Sequence, residues 1–214
     1  LRHMQNQPVK RRAGLDLARQ TRRFAPVGLG HIQHPVLEPL RAADAIRAAN
    51  GVPHINQPNF GWALSTDELA QVKNNRLLEI FNGHPMVNNI GGGGKPSLEE
   101  MWDAILTRGI LLYGLAVDDA HHFKRHDDRT ASRPGQGWIY MRTDALTPRG
   151  ILGAIERGEF YSSTGVELQE VVATTSEVRV AVKPTMYSAY RIQFIGRGGR
   201  VLQESLEPQA TYRV

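Results

Sequence analysis

A chain of 214 residues is long enough for one sizeable hydrophobic core, or for one such core and a small appendage. It contains no cysteine, which excludes disulfides, a thiolate metal site and a cysteine nucleophile, so that a bound metal would have to be held by His, Asp and Glu. The formal charge of +5 is carried disproportionately by the first segment, residues 1–25, where Lys10, Arg11, Arg12, Arg19, Arg22 and Arg23 crowd together; aromatic residues do not interleave with them, so nucleic acid is not the expected partner.

No apolar h-region follows Leu1-Arg2-His3-Met4, and no later stretch approaches the ~18 apolar residues of a membrane span, so the chain as it stands reads as soluble, with its compartment and oligomeric state undetermined. Beyond residue 25 the pattern alternates in the manner of βα units. Val27 to Ile32 reads as a short strand, and Pro39 to Asn50 carries alanines and leucines at helical spacing and stops at Asn50-Gly51, a C-cap signal. Val52-Pro53-His54-Ile55-Asn56 reads as a second strand. Ser65-Thr66-Asp67-Glu68 opens a helix with a hydroxyl N-cap and early acidic residues, and Leu77-Leu78-Glu79-Ile80-Phe81 reads as the next strand. Gly91 to Gly94 is followed by Lys95-Pro96 rather than by Gly-Lys-Ser/Thr, which makes it a hinge or surface loop and not a phosphate-binding loop.

Ser97 caps a helix whose Trp102, Ile105 and Leu106 share a face, and Gly109 ends it. The apolar run Ile110 to Val117 then reads as a strand buried on both faces, and the alternation of strand and helix implies a parallel sheet. Asp118-Asp119-Ala120-His121-His122 stands where that strand ends. On extended backbone Asp119 and His121 would point to the same side and could share one metal ion. Thr147-Pro148 opens one more helix, to Gly158. From about Gly165 the texture changes: Val171-Val172, Val178 to Val182, Tyr190 to Ile195 and Arg200 to Leu202 alternate between turn signals, with Gly196-Arg197-Gly198-Gly199 as a hairpin turn, and residues 166–214 are expected to be an antiparallel β-module appended to an α/β part over residues 26–165.

Several of these segments, in order, resemble one family. Val52-Pro53-His54-Ile55-Asn56-Gln57-Pro58-Asn59-Phe60-Gly61-Trp62, Leu78-Glu79-Ile80-Phe81-Asn82-Gly83, Glu99-Glu100-Met101-Trp102-Asp103, Val117-Asp118-Asp119-Ala120-His121, Pro134-Gly135-Gln136-Gly137-Trp138 and Gly158 to Val166 are similar to the PHP (polymerase and histidinol phosphatase) superfamily, most of all to its branch of carbaryl-hydrolase-like metallohydrolases. The similarity covers roughly residues 50 to 205. It implies a distorted (β/α)7 barrel, here incomplete at its N-terminus, with two or three divalent transition metal ions (Zn, Mn or Fe) at the C-terminal strand ends, fewer in this chain. It also implies hydrolysis of phosphoesters or related esters.

Residue by residue, the resemblance implies that Asp119 and His121 are the terminal Asp-x-His metal pair and catalytic centre, and that His31 is a further ligand, with His34 competing for that role. Gln57 stands where the family's Asn-His-Pro-Asn has a histidine ligand, and an amide oxygen is the weaker donor to a transition metal, so a loosely held ion is expected there. Glu79 reads as a carboxylate backing the site or as a paired structural one. His84, His122 and Asn59 are candidate substrate contacts, and Arg125, with Arg129 and Arg133, a candidate clamp for a small anionic or ester substrate. The family's opening His-x-His strand, its later Asp-His motif and an upstream glutamate have no counterpart, so the chain is expected either to omit segments of a longer protein or to be a degenerate, catalytically inactive binding or assembly module. His3 stands alone, and Arg2-His3-Met4 reads as a cloning remnant.

Overall fold

The computed structural model describes residues 37–125 and 127–214; the basic segment 1–25, the run from Val27 to Ile32, and His31 and His34 lie outside the described residues. Helix α1 (Leu37–Ala48) ends where its sequence asks, with Asn50 at a φ of 59° just past the last turn. Arg47 fastens it, donating from Nε to the Asn74 carbonyl at 2.9 Å and pairing with Glu156. The expected strand from Val52 to Asn56 reduces to a single parallel bridge, Ile55 to Leu78, with Ile55 N donating to Leu77 O and Glu79 N to Ile55 O. Pro53 has no N–H to extend the ladder.

The short helix α2 (Thr66–Leu69) and the longer α3 (Leu98–Thr107) both begin in a capping box, Ser65 with Glu68 and Ser97 with Glu100, so local chemistry alone sets their starts. Between them runs strand β1 (Leu77–Asn82), which pairs in parallel with β2 (Tyr113–Val117), from Leu77 opposite Tyr113 to Asn82 opposite Val117. Leu69, Leu78, Leu98, Met101, Ile105 and Leu112 meet as one buried cluster, with Trp102 against it. Each such side chain is worth roughly 1.5–3 kcal/mol of transfer free energy, and together they hold α3 onto β1. The expectation of a strand from Ile110 buried on both faces is corrected: Leu111 is exposed, the ladder starts at Tyr113, and of the run only Leu112, Leu115 and Ala116 are buried.

The alternation of strand and helix does not continue the parallel sheet. Strand β3 (Trp138–Met141), helix α4 (Pro148–Arg157) and strand β4 (Phe160–Ser163) follow in order, yet β4 pairs antiparallel with β3, Met141 opposite Phe160. The Arg142 N–H donates to Glu159 O at 2.8 Å, closing the base of an excursion that contains α4. The helix therefore leaves and returns at one end of a hairpin instead of crossing over the sheet. Thr147 caps α4, and Gly158 ends it at a φ of 71°, where a Cβ would lie 2.2 Å from the Tyr113 ring.

In the C-terminal part, β5 (Leu168–Ala173), β6 (Glu177–Val182) and β9 (Gln209–Arg213) make an antiparallel sheet in the order β5-β6-β9, while β7 (Ile192–Gly196) and β8 (Arg200–Ser205) form a hairpin turned by Arg197–Gly199. Val182, Ile192, Phe194 and Ala210 form its buried cluster, with Val178, Val180 and Tyr212 packed against it. Across the expected boundary near Gly165, Leu168 N donates to the Tyr161 hydroxyl, Arg142 to Val171 O, and Gly198 N to the Thr107 hydroxyl. The described residues thus form an α/β arrangement of four small sheets, with parallel pairing confined to β1, β2 and the bridge at Ile55. No helix among the described residues is long and apolar enough to cross a membrane.

Candidate functional site

Parallel pairing brings the C-terminal ends of β1 and β2 side by side, and the polar residues that follow each strand meet there. Gly83 N donates to Val117 O at 2.8 Å; a Cβ on Gly83 would come within 2.4 Å of Gln136 and 3.0 Å of Asp118 O, so the loop of Gln136 and the end of β2 approach closely because this residue has none. Of the two adjacent carboxylates, Asp118 accepts from the N–H groups of Gln136 and Gly137 at 2.6 and 2.9 Å and holds that loop in place. Asp119 is left for the cluster. Its Oδ2 accepts from Gln57 Nε2 at 2.5 Å and from Asn82 Nδ2 at 3.3 Å, and its Oδ1 lies 3.3 Å from His121 Nε2.

Asp119 and His121 do meet, but not through extended backbone. Asp119 has a φ of 48°, a left-handed turn that curls the chain so that the imidazole reaches back to the carboxylate. Gln57, its partner, is also left-handed at a φ of 44°, costly for a residue without the short polar side chain that eases that conformation. Buried Ser132 pins the loop: its carbonyl accepts from His121 N and His122 N, and its hydroxyl from His121 N at 3.1 Å. The His84 ring stands edge-on to that of His121, with centroids 5.3 Å apart.

Glu79 lies behind this cluster, 2% exposed. Its Oε1 accepts from Gln57 N at 3.1 Å and from Asn82 Nδ2 at 3.0 Å. The reading of Glu79 as a paired structural carboxylate is corrected, since these partners are neutral. Burial first, then the charge of Asp119, outweigh the two hydrogen bonds and push its carboxyl up to about 7. Asp119 is 25% exposed and His121 62%, so the cluster opens to solvent on the His121 side and is closed on the Glu79 side.

The remaining expected contacts lie elsewhere. Asn59 is 2% exposed and donates from Nδ2 to Asn88 O at 2.5 Å, holding the loop that leads to the glycine run, while its Oδ1 has no partner among the described residues. The His122 ring is taken by the Ser132 hydroxyl at 3.2 Å. Arg125 pairs with Asp128 within its own exposed loop, so the proposed clamp is drawn to a neighbouring carboxylate three residues on. Sequence reasoning missed Asn82, although it stands inside the Leu78 to Gly83 motif at the end of its strand; Ser132 carried no signal at all.

Among the described residues no three His, Asp or Glu side chains gather in a way that could hold a metal ion. The donors that do converge are Asp119 and His121, with the amide side chains of Gln57 and Asn82 beside them. They fit a single cation held loosely: two carboxylates share the neighbourhood, one of them buried, and their described partners include neither lysine nor arginine. Compared with family models, with curated proteins and with solved structures, the chain matches none.

Proposed function

We propose that this chain is a metal-dependent hydrolase of phosphoesters or related esters, of the PHP type, with a divalent transition metal ion as its cofactor. The observation that carries the reading is the convergence of Gln57, Glu79, Asn82, Asp119 and His121 at the paired ends of β1 and β2, the place where α/β folds keep their ligands. The ordered motif series supports it. Asp119 and His121 would hold the ion, with Gln57 as a weak third donor. An ion held there would supply the means to acidify a bound water toward about 7 and to polarise the ester. The protein's own part is positional. Ser132 fixes the turn that presents His121; Asn82 and Gln57 orient the Asp119 carboxylate; and Glu79, at about 7, takes up or releases a proton at neutral pH.

A second reading, a catalytically inactive module of the same ancestry, is favoured by one contact. Gln57 presents an N–H donor to Asp119 where a histidine ligand would present a lone pair to the ion. Metal analysis of the purified protein, with hydrolysis of p-nitrophenyl phosphate and p-nitrophenyl acetate, separates the two. The hydrolase should carry about one equivalent of metal and lose both metal and turnover, by about a hundredfold or more, in Asp119→Ala and His121→Ala, since each removes one metal bond. Gln57→His should raise occupancy. Substoichiometric metal with turnover indifferent to all three changes would establish the inactive module instead.

A further inference from the structure

A cavity of about 430 Å³ adjoins the cluster and shares one wall with it. That size falls within the range of small-molecule sites, about 300–1,000 Å³. Its walls come from α1, from the segment carrying Gln57 and from the turn after it, and include the apolar side chains of Ala43, Ile46, Pro53, Ile55, Phe60 and Leu64. Among the described residues, none of those lining it is Asp, Glu, Lys or Arg.

Of the polar side chains in the lining, Asn75 and Gln57 are spent on the protein itself, while among the described residues His54 and Asn56 are not. Buried Asn75 donates from Nδ2 to Leu77 O at 3.0 Å and accepts Leu77 N at 3.3 Å. His54 presents its ring; burial holds its imidazole down to about 4, so it is neutral, and its Nε2 is enclosed with no partner among the described residues. Gln57 alone links the cavity to the polar cluster. It lines the cavity, and its Nε2 reaches Asp119 Oδ2 at 2.5 Å.

We propose that this cavity binds the uncharged, apolar portion of the ester, an alkyl or aryl group of benzyl size or larger, with the bond to be cleaved lying past Gln57 toward Asp119 and His121. Charge decides the class. Moving an ion against a wall with no counter-charge among the described residues forfeits part of its hydration, and the neutral His54 and Asn56 do not replace it, whereas a hydrocarbon gains from leaving water. The substrate is therefore an ester with a neutral apolar arm. A substrate charged at both ends is excluded from this side. The naming of an ester rests on the hydrolase reading; the binding of a neutral apolar group does not.

The test uses three probes of one shape, benzyl alcohol, benzoate and benzylammonium, titrated into the full chain while the methyl resonances of Ile46, Ile55 and Leu64 are followed by NMR. Benzyl alcohol should give saturable shifts at all three residues, and each ion should bind at least about tenfold more weakly. Ala42 lies on the exposed rim, so Ala42→Trp should weaken benzyl alcohol by at least about tenfold while the melting temperature stays at the wild-type value. No saturable shift, benzoate binding as tight as the alcohol, or indifference to Ala42→Trp would each overturn the proposal. Saturable binding of benzyl alcohol in a protein that hydrolyses neither p-nitrophenyl ester removes the hydrolase reading and leaves the apolar site standing. Hydrolysis without such binding removes the apolar site alone.

Discussion

His54 and Glu79 are titratable groups that burial moves in opposite directions across one pH range. The Glu79 carboxyl rises from 4.5 to about 7, so the folded state binds its proton more tightly than the unfolded chain does. Its contribution to stability is complete below pH 4.5 and is lost as the pH rises through about 7. The His54 imidazole falls from 6.5 to about 4, so the folded state binds that proton less tightly. Its contribution is complete above pH 6.5 and is lost as the pH falls through about 4. A full shift of this size corresponds to something on the order of 3 kcal/mol, less for His54, which is only partly buried. In the wild type the two slopes oppose one another. Denaturant titrations in a metal chelator should therefore show Glu79→Gln gaining on the wild type between pH 4.5 and 7.5, and His54→Gln gaining on it between pH 7 and 4. A variant whose stability curve runs parallel to that of the wild type would mean that its group does not carry the shift.

The helix starts follow from a few neighbouring residues, whereas the site loop hangs on a distant one. Ser97→Ala removes the hydroxyl that accepts from Glu100 N and should cost about 1 kcal/mol, leaving the imidazole NMR signals of His121 and His122 unchanged. Ser132→Ala should cost a similar amount yet move those signals, because its hydroxyl meets His121 N and the His122 ring. Unmoved signals would show that the carbonyl of residue 132 suffices to hold the turn. The same contrast explains which elements were legible. Ser65, Ser97 and Thr147 announced their helices because a cap is complete within four residues. The antiparallel return of β4 was not legible, since direction depends on where the excursion holding α4 closes, and the Arg142 to Glu159 bond that closes it leaves no mark in the local pattern. Strand β3 escaped for a related reason: it is a short strand recognisable only beside its partner.

At the scale of the molecule, the C-terminal sheets owe their cohesion to one apolar cluster. Phe194 stacks on Tyr212 with centroids 5.6 Å apart and is buried with Val182, Ile192 and Ala210. Phe194→Ala should cost about 3–5 kcal/mol, the usual price of a truncated core aromatic, read as a drop in the denaturation midpoint at unchanged slope. A loss below 1 kcal/mol would show that the cluster collapses around the gap.

The sequence by itself determined what a few adjacent residues can settle: helix starts and stops, the apolar clusters and the alternating strands of residues 166–214; it also singled out Gln57, Asp119 and His121. These follow from backbone hydrogen bonding and side-chain period, which act over one or two turns of chain. Only the tertiary structure decided that Gln57 and Asp119, 62 positions apart, share a hydrogen bond, that Asp119 reaches His121 through a left-handed turn, and that Glu79 is sealed behind them among neutral partners. The reason is physical. The parallel register of β1 and β2 sets which polar ends meet, and loss of water around Glu79 sets its charge. Both are properties of the packed chain, which no stretch of neighbouring residues contains.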